Sequence, residues 1–153
     1  MKIASDIPSI EIASELAAQF EGLSLVPYIC PGGFVTIGYG HLLSRDKSKK
    51  PEDYSEITHD RAVELLQQDL VKALRGVRRL ITIDLNDNQE AALIDFCYNL
   101  GSGNLQVSTL RKVVNRGDFD EVPNQLRRWV YANRRKLRGL VIRREAEAQL
   151  FMS

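Results

Sequence analysis

Residues 30–41 read CPGGFVTIGYGH. Pro31-Gly32-Gly33 supplies turn chemistry, and Phe34, Val35, Ile37 and Tyr39 after it favour an extended strand. Tyr28, just before the turn, has the same preference, so Leu23–Leu43 reads as a small antiparallel hairpin or three-stranded sheet. One residue does not fit an ordinary turn. Cys30 stands at its mouth, as a packing residue, a redox residue, or half of a catalytic pair whose other half lies upstream.

Outward from this sheet the periodicity becomes helical. Upstream, Ile10, Ala13, Leu16, Ala17 and Phe20 recur at helical spacing, with Asp6 or Ser9 expected to cap the start and Gly22 to suit the end. Glu21 is thereby expected at a helix C-terminus. Downstream, SRDKSKKPEDYSEI is polar and reads as an exposed loop. Thr58 then opens a long helix carrying Ala62, Leu66, Leu70, Ala73 and Val77 on one side. Asp69 interrupts that apolar side and calls for a partner, for which His41 is the candidate. From Asn86 to the end the chain reads as short helices, with starts at Asn86 and Ser108, stops at Gly101 and Gly117, and Pro123 near a helix start or kink. The expected fold class is α+β, mostly α, with two lobes. A sheet lobe spans about 20–57 and a connecting helix about 58–80. The helical lobe takes about 84–153 and the N-terminal helix of about 7–21.

Composition narrows the function. The chain has 153 residues, 44% hydrophobic and 27% charged, as a soluble globular domain does. Two cysteines are too few for a disulfide scaffold and lack metal-ligand spacing, so neither a metal nor another cofactor is expected. Asp6, Glu11 and Glu15 interrupt the first twenty residues, so neither an apolar signal segment there nor stable membrane anchoring is expected. Residues 1–107 hold 10 Lys/Arg against 15 Asp/Glu, while residues 108–153 hold 11 against 5. A basic C-terminal third suits an anionic polymer or is simply a solvated helical surface. No aromatic–basic motif accompanies it, so no nucleic-acid partner is expected.

The candidate chemistry centres on Glu21. A helix C-terminus presents partial negative charge, which favours a protonated carboxyl, and a protonated carboxyl can act as general acid on a glycosidic bond. Cys30 follows nine residues later and Thr36 six after that, on adjoining strands of one hairpin. An inverting glycosidase sets a water-activating group opposite its acid, and a threonine hydroxyl, both donor and acceptor, can hold that water.

The pattern E-x8-C-x5-T followed by IGYGH resembles the phage-type lysozyme family, the endolysins similar to bacteriophage T4 lysozyme. LNDNQEAALIDFCYNLGSGNLQVSTLRKVVNRGDF and RRWVYANRRKLRGLVIRREAEAQLF are similar to that family's helical lobe. The resemblance implies a two-lobed lysozyme fold and a muramidase cutting the β-1,4 bond between N-acetylmuramic acid and N-acetylglucosamine in bacterial peptidoglycan. It assigns Glu21 as general acid, Cys30 as the second catalytic position and Thr36 as the water-holding residue. Leu42, Tyr98, Asn99 and Ser108 fall on groove-lining positions. It further implies a monomer that waits in the host cytoplasm, with no signal peptide, and reaches the wall after a holin opens the membrane.

Cys30 is the departure, since most familiar members carry Asp there, although some carry Cys. A thiol with its usual pKa near 8.5 is only a few per cent thiolate at neutral pH, and a thiolate there either assists water or attacks the anomeric carbon, with opposite stereochemical outcomes; the retained Thr36 favours water assistance. Retained Glu21 and Thr36 favour an enzyme over a wall-binding module that has kept the fold and lost the chemistry. A Cys30–His41 thiol-peptidase dyad ranks lower, because the turn at Cys30 leads into a strand and not from a helix N-terminus. Cys97, at helical spacing with Leu93, Ile94 and Leu100, reads as a core residue, and a Cys30–Cys97 bond as a minor alternative. Arg134, Arg135, Lys136 and Arg138 face the wall or solvent. One of Arg138, Arg143 and Arg144 is the expected partner of Glu21.

Overall fold

The computed structural model describes residues 4–153. A three-stranded antiparallel sheet, β1 (Ser24–Ile29), β2 (Val35–Gly38) and β3 (His41–Leu42), packs beside a set of helices. These are α1 (Pro8–Phe20), α2 (His59–Leu80), α3 (Asp87–Leu100), α4 (Ser102–Val107), α5 (Thr109–Asn115), α6 (Val122–Leu126) and α7 (Arg138–Met152). The architecture is α+β and mostly α.

Local chemistry sets most of the boundaries. Thr58 caps α2 through its side chain, which accepts from the Arg61 N–H. Asn86 and Gln89 form a reciprocal capping box at the start of α3. Gly101, at φ 88, lets the chain leave α3 in a conformation that other residues rarely adopt. The start of α1 departs from expectation. Its N-cap is Ile7, without a side-chain cap, and neither Asp6 nor Ser9 serves. Pro8 replaces them, because its fixed φ suits the first helical turn, and Ser9 is drawn inside the helix and buried. Gly22 is likewise no left-handed cap: Glu21 closes the helix in extended backbone.

The last third is not helical throughout. Tyr131–Ala132 (β4) pairs with Arg135–Lys136 (β5), and Asn133 and Arg134 turn between them at φ 50 and 64. Two-residue strands carry no legible alternation, which is why the sequence reads there as short helices.

The core lies among α1, α2, α3, α5 and α7, with Ile10, Leu66, Leu70, Leu93, Ile94, Phe96 and Phe151 fully buried. Three polar contacts tie the sheet to it. His41 Nδ1 lies 2.8 Å from Asp69 on α2, the Tyr98 hydroxyl on α3 donates to the Tyr39 carbonyl at 2.9 Å, and the Tyr39 hydroxyl meets His59 at 3.2 Å. The expected His41–Asp69 pairing is thus present.

Helix α2 passes tightly against α4. A Cβ on Gly76 would lie 2.7 Å from Ser102 Cβ, closer than carbon atoms tolerate. Gly76→Ala is expected to lower stability by about 1–2 kcal/mol in a thermal melt, even though alanine is the better helix former. Combining it with Ser102→Gly, which removes the opposing atom, should shrink that loss; an unchanged loss would place its cause elsewhere.

Candidate active site

Each of the three expected catalytic residues is positioned by a different device. Glu21 is the C-cap of α1, so the helix aims it and the following extended chain carries it toward the sheet. Cys30 closes the β1–β2 turn: its N–H donates to Phe34 O at 3.0 Å and its carbonyl accepts from Gly33 N–H at 2.8 Å. Thr36 sits on β2 opposite Tyr28 of β1 and Leu42 of β3.

The β1–β2 turn brings Cys30 close to Thr36. A hydrogen bond from the Thr36 hydroxyl, then the backbone N–H groups of Phe34, Gly32 and Gly33, hold the Cys30 thiol below its ordinary pKa. The Thr36 hydroxyl also reaches Phe34 O at 3.0 Å. It has one proton, so it serves either that carbonyl or a Cys30 thiolate. Thr36 is itself buried, at 2% exposure, and this fixes the hydroxyl within reach of the sulfur.

Glu21 has a partner of another kind. Arg143 Nη1 donates to its Oε1 at 2.8 Å, while Nε and Nη2 of the same guanidinium form a fork onto Asp95 at 2.9 and 2.8 Å. Of the three arginines proposed as its partner, the structure selects Arg143. Asp95 engages two of the three guanidinium nitrogens and neutralises much of the arginine's charge. Glu21, Gly22, Leu23, Ser24, Tyr28 and Gly40 line a cavity of about 330 Å³, and its second oxygen points toward Gly40.

The four groove candidates take different places. Leu42 is half-buried on β3. Tyr98 lies behind Glu21, with its phenol pushed up by burial and by the charges of Glu21 and Asp69. Asn99 Oδ1 accepts from Arg144 at 2.7 Å. Ser108 is buried and caps α5, accepting from Arg111 N–H and donating to Leu105 O. It lines a separate cavity of about 310 Å³ with Val107, Thr109, Gln125, Arg128 and Trp129.

Two residues absent from the sequence-based candidates stand out. Asp95 and Glu147 are both fully buried. Asp95 carried a signal, since it is a lone acid inside the apolar run AALIDFC. The basic third is also not all solvated surface, because Arg143 and Arg144 are buried at 4% and 0% exposure. Cys97 is a free, buried core residue whose thiol burial pushes up to about 12. Among the described residues no group of three or more His, Cys, Asp or Glu could hold a metal ion.

These features have counterparts in known proteins. The phage lysozyme family model matches residues 18–147. The SAR-endolysin of Bacteriophage PS119 is 35% identical over 127 residues, 83% of this chain and 73% of that protein. The endolysin of Acyrthosiphon pisum secondary endosymbiont phage 1 is 32% identical, covering 90% of this chain and 93% of that one. Among solved structures, the muramidase domain of SpmX from Asticaccaulis excentricus superposes with a TM-score of 0.80 at 31% identity, over 92% of this chain and 95% of that one. The endolysin from Escherichia coli O157:H7 phage FAHEc1 gives 0.79 at 27% identity, over all of this chain and 94% of that one. The chain belongs to the phage lysozyme family, and its class is that of the endolysin muramidases, glycoside hydrolases of the bacterial wall.

The two thiols differ enough to be told apart chemically. At neutral pH iodoacetamide is expected to alkylate Cys30 at least ~10-fold faster than Cys97, because only the thiolate reacts. Peptide mapping reads the two rates, and a faster Cys97 would contradict the hydrogen bonding described for Cys30.

Proposed function

We propose that this chain hydrolyses the β-1,4 bond between N-acetylmuramic acid and N-acetylglucosamine, with Glu21 as the acid and Cys30, held by Thr36, as the group that activates water. The observation that carries this reading is the tight β1–β2 turn that sets Cys30 close to Thr36 on β2, where the hydroxyl and the turn's N–H groups hold the thiol below its ordinary pKa. Glu21 passes its proton to the glycosidic oxygen as the bond from the anomeric carbon to that oxygen breaks. Water adds to the anomeric carbon from the other face and gives its proton to the Cys30 thiolate, and the anomeric configuration inverts. Proton exchange with solvent restores both groups. Leu42, Tyr98, Asn99 and Ser108 are assigned to the saccharide groove.

The substrate is bacterial peptidoglycan, and the enzyme acts as a monomer. In this reading the enzyme reaches the wall from the host cytoplasm once a holin opens the membrane. No helix among the described residues is long and apolar enough to cross a membrane.

Release of reducing ends from purified peptidoglycan tests the assignment. Glu21→Gln is expected to lose about 10²–10⁴-fold in rate, the usual worth of a general acid. Cys30→Ser should be crippled, since a hydroxyl does not ionise near neutral pH. Cys30→Asp should retain partial activity and extend it to lower pH, because a base works only while ionised and a carboxylate stays ionised down to about pH 4. A wild type that binds the wall but releases no ends under reducing, metal-free conditions would instead make the chain a non-catalytic wall-binding module.

A further inference from the structure

The β4–β5 hairpin and the start of α7 carry a surface that the catalytic reading does not use. Residues 122–144 contain eight Lys and Arg and no Asp or Glu. Arg143 and Arg144 are buried, and Arg127 is paired with Glu145 at 3.0 Å. The other five, Arg128, Arg134, Arg135, Lys136 and Arg138, are exposed, and none of them is in an ion pair among the described residues. Arg134 takes the second position of the β4–β5 turn at φ 64, a conformation that favours glycine. The turn thus holds a cation at its tip in spite of backbone strain.

Large apolar side chains share this surface. Tyr131 is 62% exposed, and Leu137, Val141 and Ile142 are exposed as well. Leu137 and Val141 stand one helical turn apart, the Val141 N–H donating to Leu137 O at 3.1 Å. Tyr131, Lys136 and Val141 line one cavity of about 380 Å³ with Arg128 and the Arg127–Glu145 pair. Basic and apolar groups are therefore interleaved over one patch. Water solvates the cations well, but it leaves the apolar groups without a partner.

We propose that this surface docks on an anionic phospholipid bilayer. The cavity receives a headgroup phosphate between Arg128 and Lys136, while Tyr131, Leu137 and Ile142 enter the boundary between headgroups and acyl chains. Charge and apolarity together select this partner, because basic side chains grip an anionic leaflet and apolar ones gain by entering it. An anionic wall polymer would match the cations but leave four apolar side chains in water. A second copy of the chain would bring the same five cations against them. The contact lies on the membrane and does not span it, and no helix among the described residues is long and apolar enough to cross one.

Co-sedimentation of the whole chain with lipid vesicles tests the docking. Binding is expected to vesicles of phosphatidylcholine that contain phosphatidylglycerol, not to phosphatidylcholine alone, and to weaken as salt is raised. Arg134→Gln combined with Arg135→Gln should weaken it about 30-fold, roughly fivefold for each cation lost at an anionic surface. Leu137→Ser combined with Ile142→Ser should weaken it about 10-fold or more and leave the salt dependence in place, since the charges are untouched. All four side chains are exposed, so neither pair of substitutions disturbs the core, and serine suits the N-cap of α7 that Leu137 holds. A wild type that fails to bind phosphatidylglycerol vesicles would overturn the inference. So would binding that the Leu137→Ser, Ile142→Ser chain retains in full, because cations alone would then suffice and an anionic polymer would be the partner. Displacement by inorganic phosphate at the concentration of the lipid phosphate would also overturn it, by reducing the surface to a site for a free anion. Vesicle binding is read without catalysis, so the outcome does not depend on the roles of Glu21 and Cys30.

Discussion

The Arg143 guanidinium is the interaction on which the site depends. It is 4% exposed, and its three nitrogens join the C-terminal end of α1, through Glu21, to α3, through Asp95, from its own position on α7. A buried charge of this kind is tolerated only when well paired; removing one partner typically costs about 3–5 kcal/mol because the other is left unmatched. The same geometry that makes Arg143 costly to lose also makes it a precise support. Glu21 ends a helix, where backbone frays most easily, and the bond from Arg143 steadies its side chain. Phe20 adds to this, since its ring lies 5.4 Å from the Arg143 guanidinium carbon.

The second half of the site is built by shorter-range means. Cys30 is held by the hydrogen bonds of a tight turn, and Thr36 by strand pairing with Tyr28 and Leu42, so their placement is set within the fifteen residues 28–42. The two halves therefore rest on different parts of the fold, one on packing among α1, α3 and α7, the other on the sheet. What keeps them in register is the set of ties from the sheet to the helices, His41 to Asp69 and Tyr98 to Tyr39. Tyr98 belongs to both sets, because it holds the sheet and also lies close enough to Glu21 to feel its charge.

Much of this was legible in the sequence where local chemistry dominates. Thr58, Asn86, Ser108 and Gly101 mark helix ends because a side-chain cap or a positive φ is a property of one residue and its near neighbours. Asp69 announced a partner because it breaks an apolar face. Asp95 does the same in α3, yet its partner Arg143 lies 48 residues away in a stretch whose many arginines look alike in sequence. Burial alone distinguishes Arg143 and Arg144 from the exposed Arg134, Arg135 and Arg138. The Tyr131–Lys136 hairpin escaped for another reason: its strands are two residues long and depend on neighbours that periodicity does not report. The cap of α1 was misassigned because a good capping residue, Ser9, lies one position beyond a proline that starts the helix.

The most direct test of the account is the steady-state kinetics of Arg143→Lys. Lysine keeps the charge but cannot reach Glu21 and grip Asp95 with both arms at once. The account predicts that kcat falls by about 10²-fold, the scale of a misplaced catalytic group, while KM for peptidoglycan changes little. An Arg143→Lys enzyme with wild-type kcat would show that charge alone suffices, and would contradict the central role given to the three-way fork.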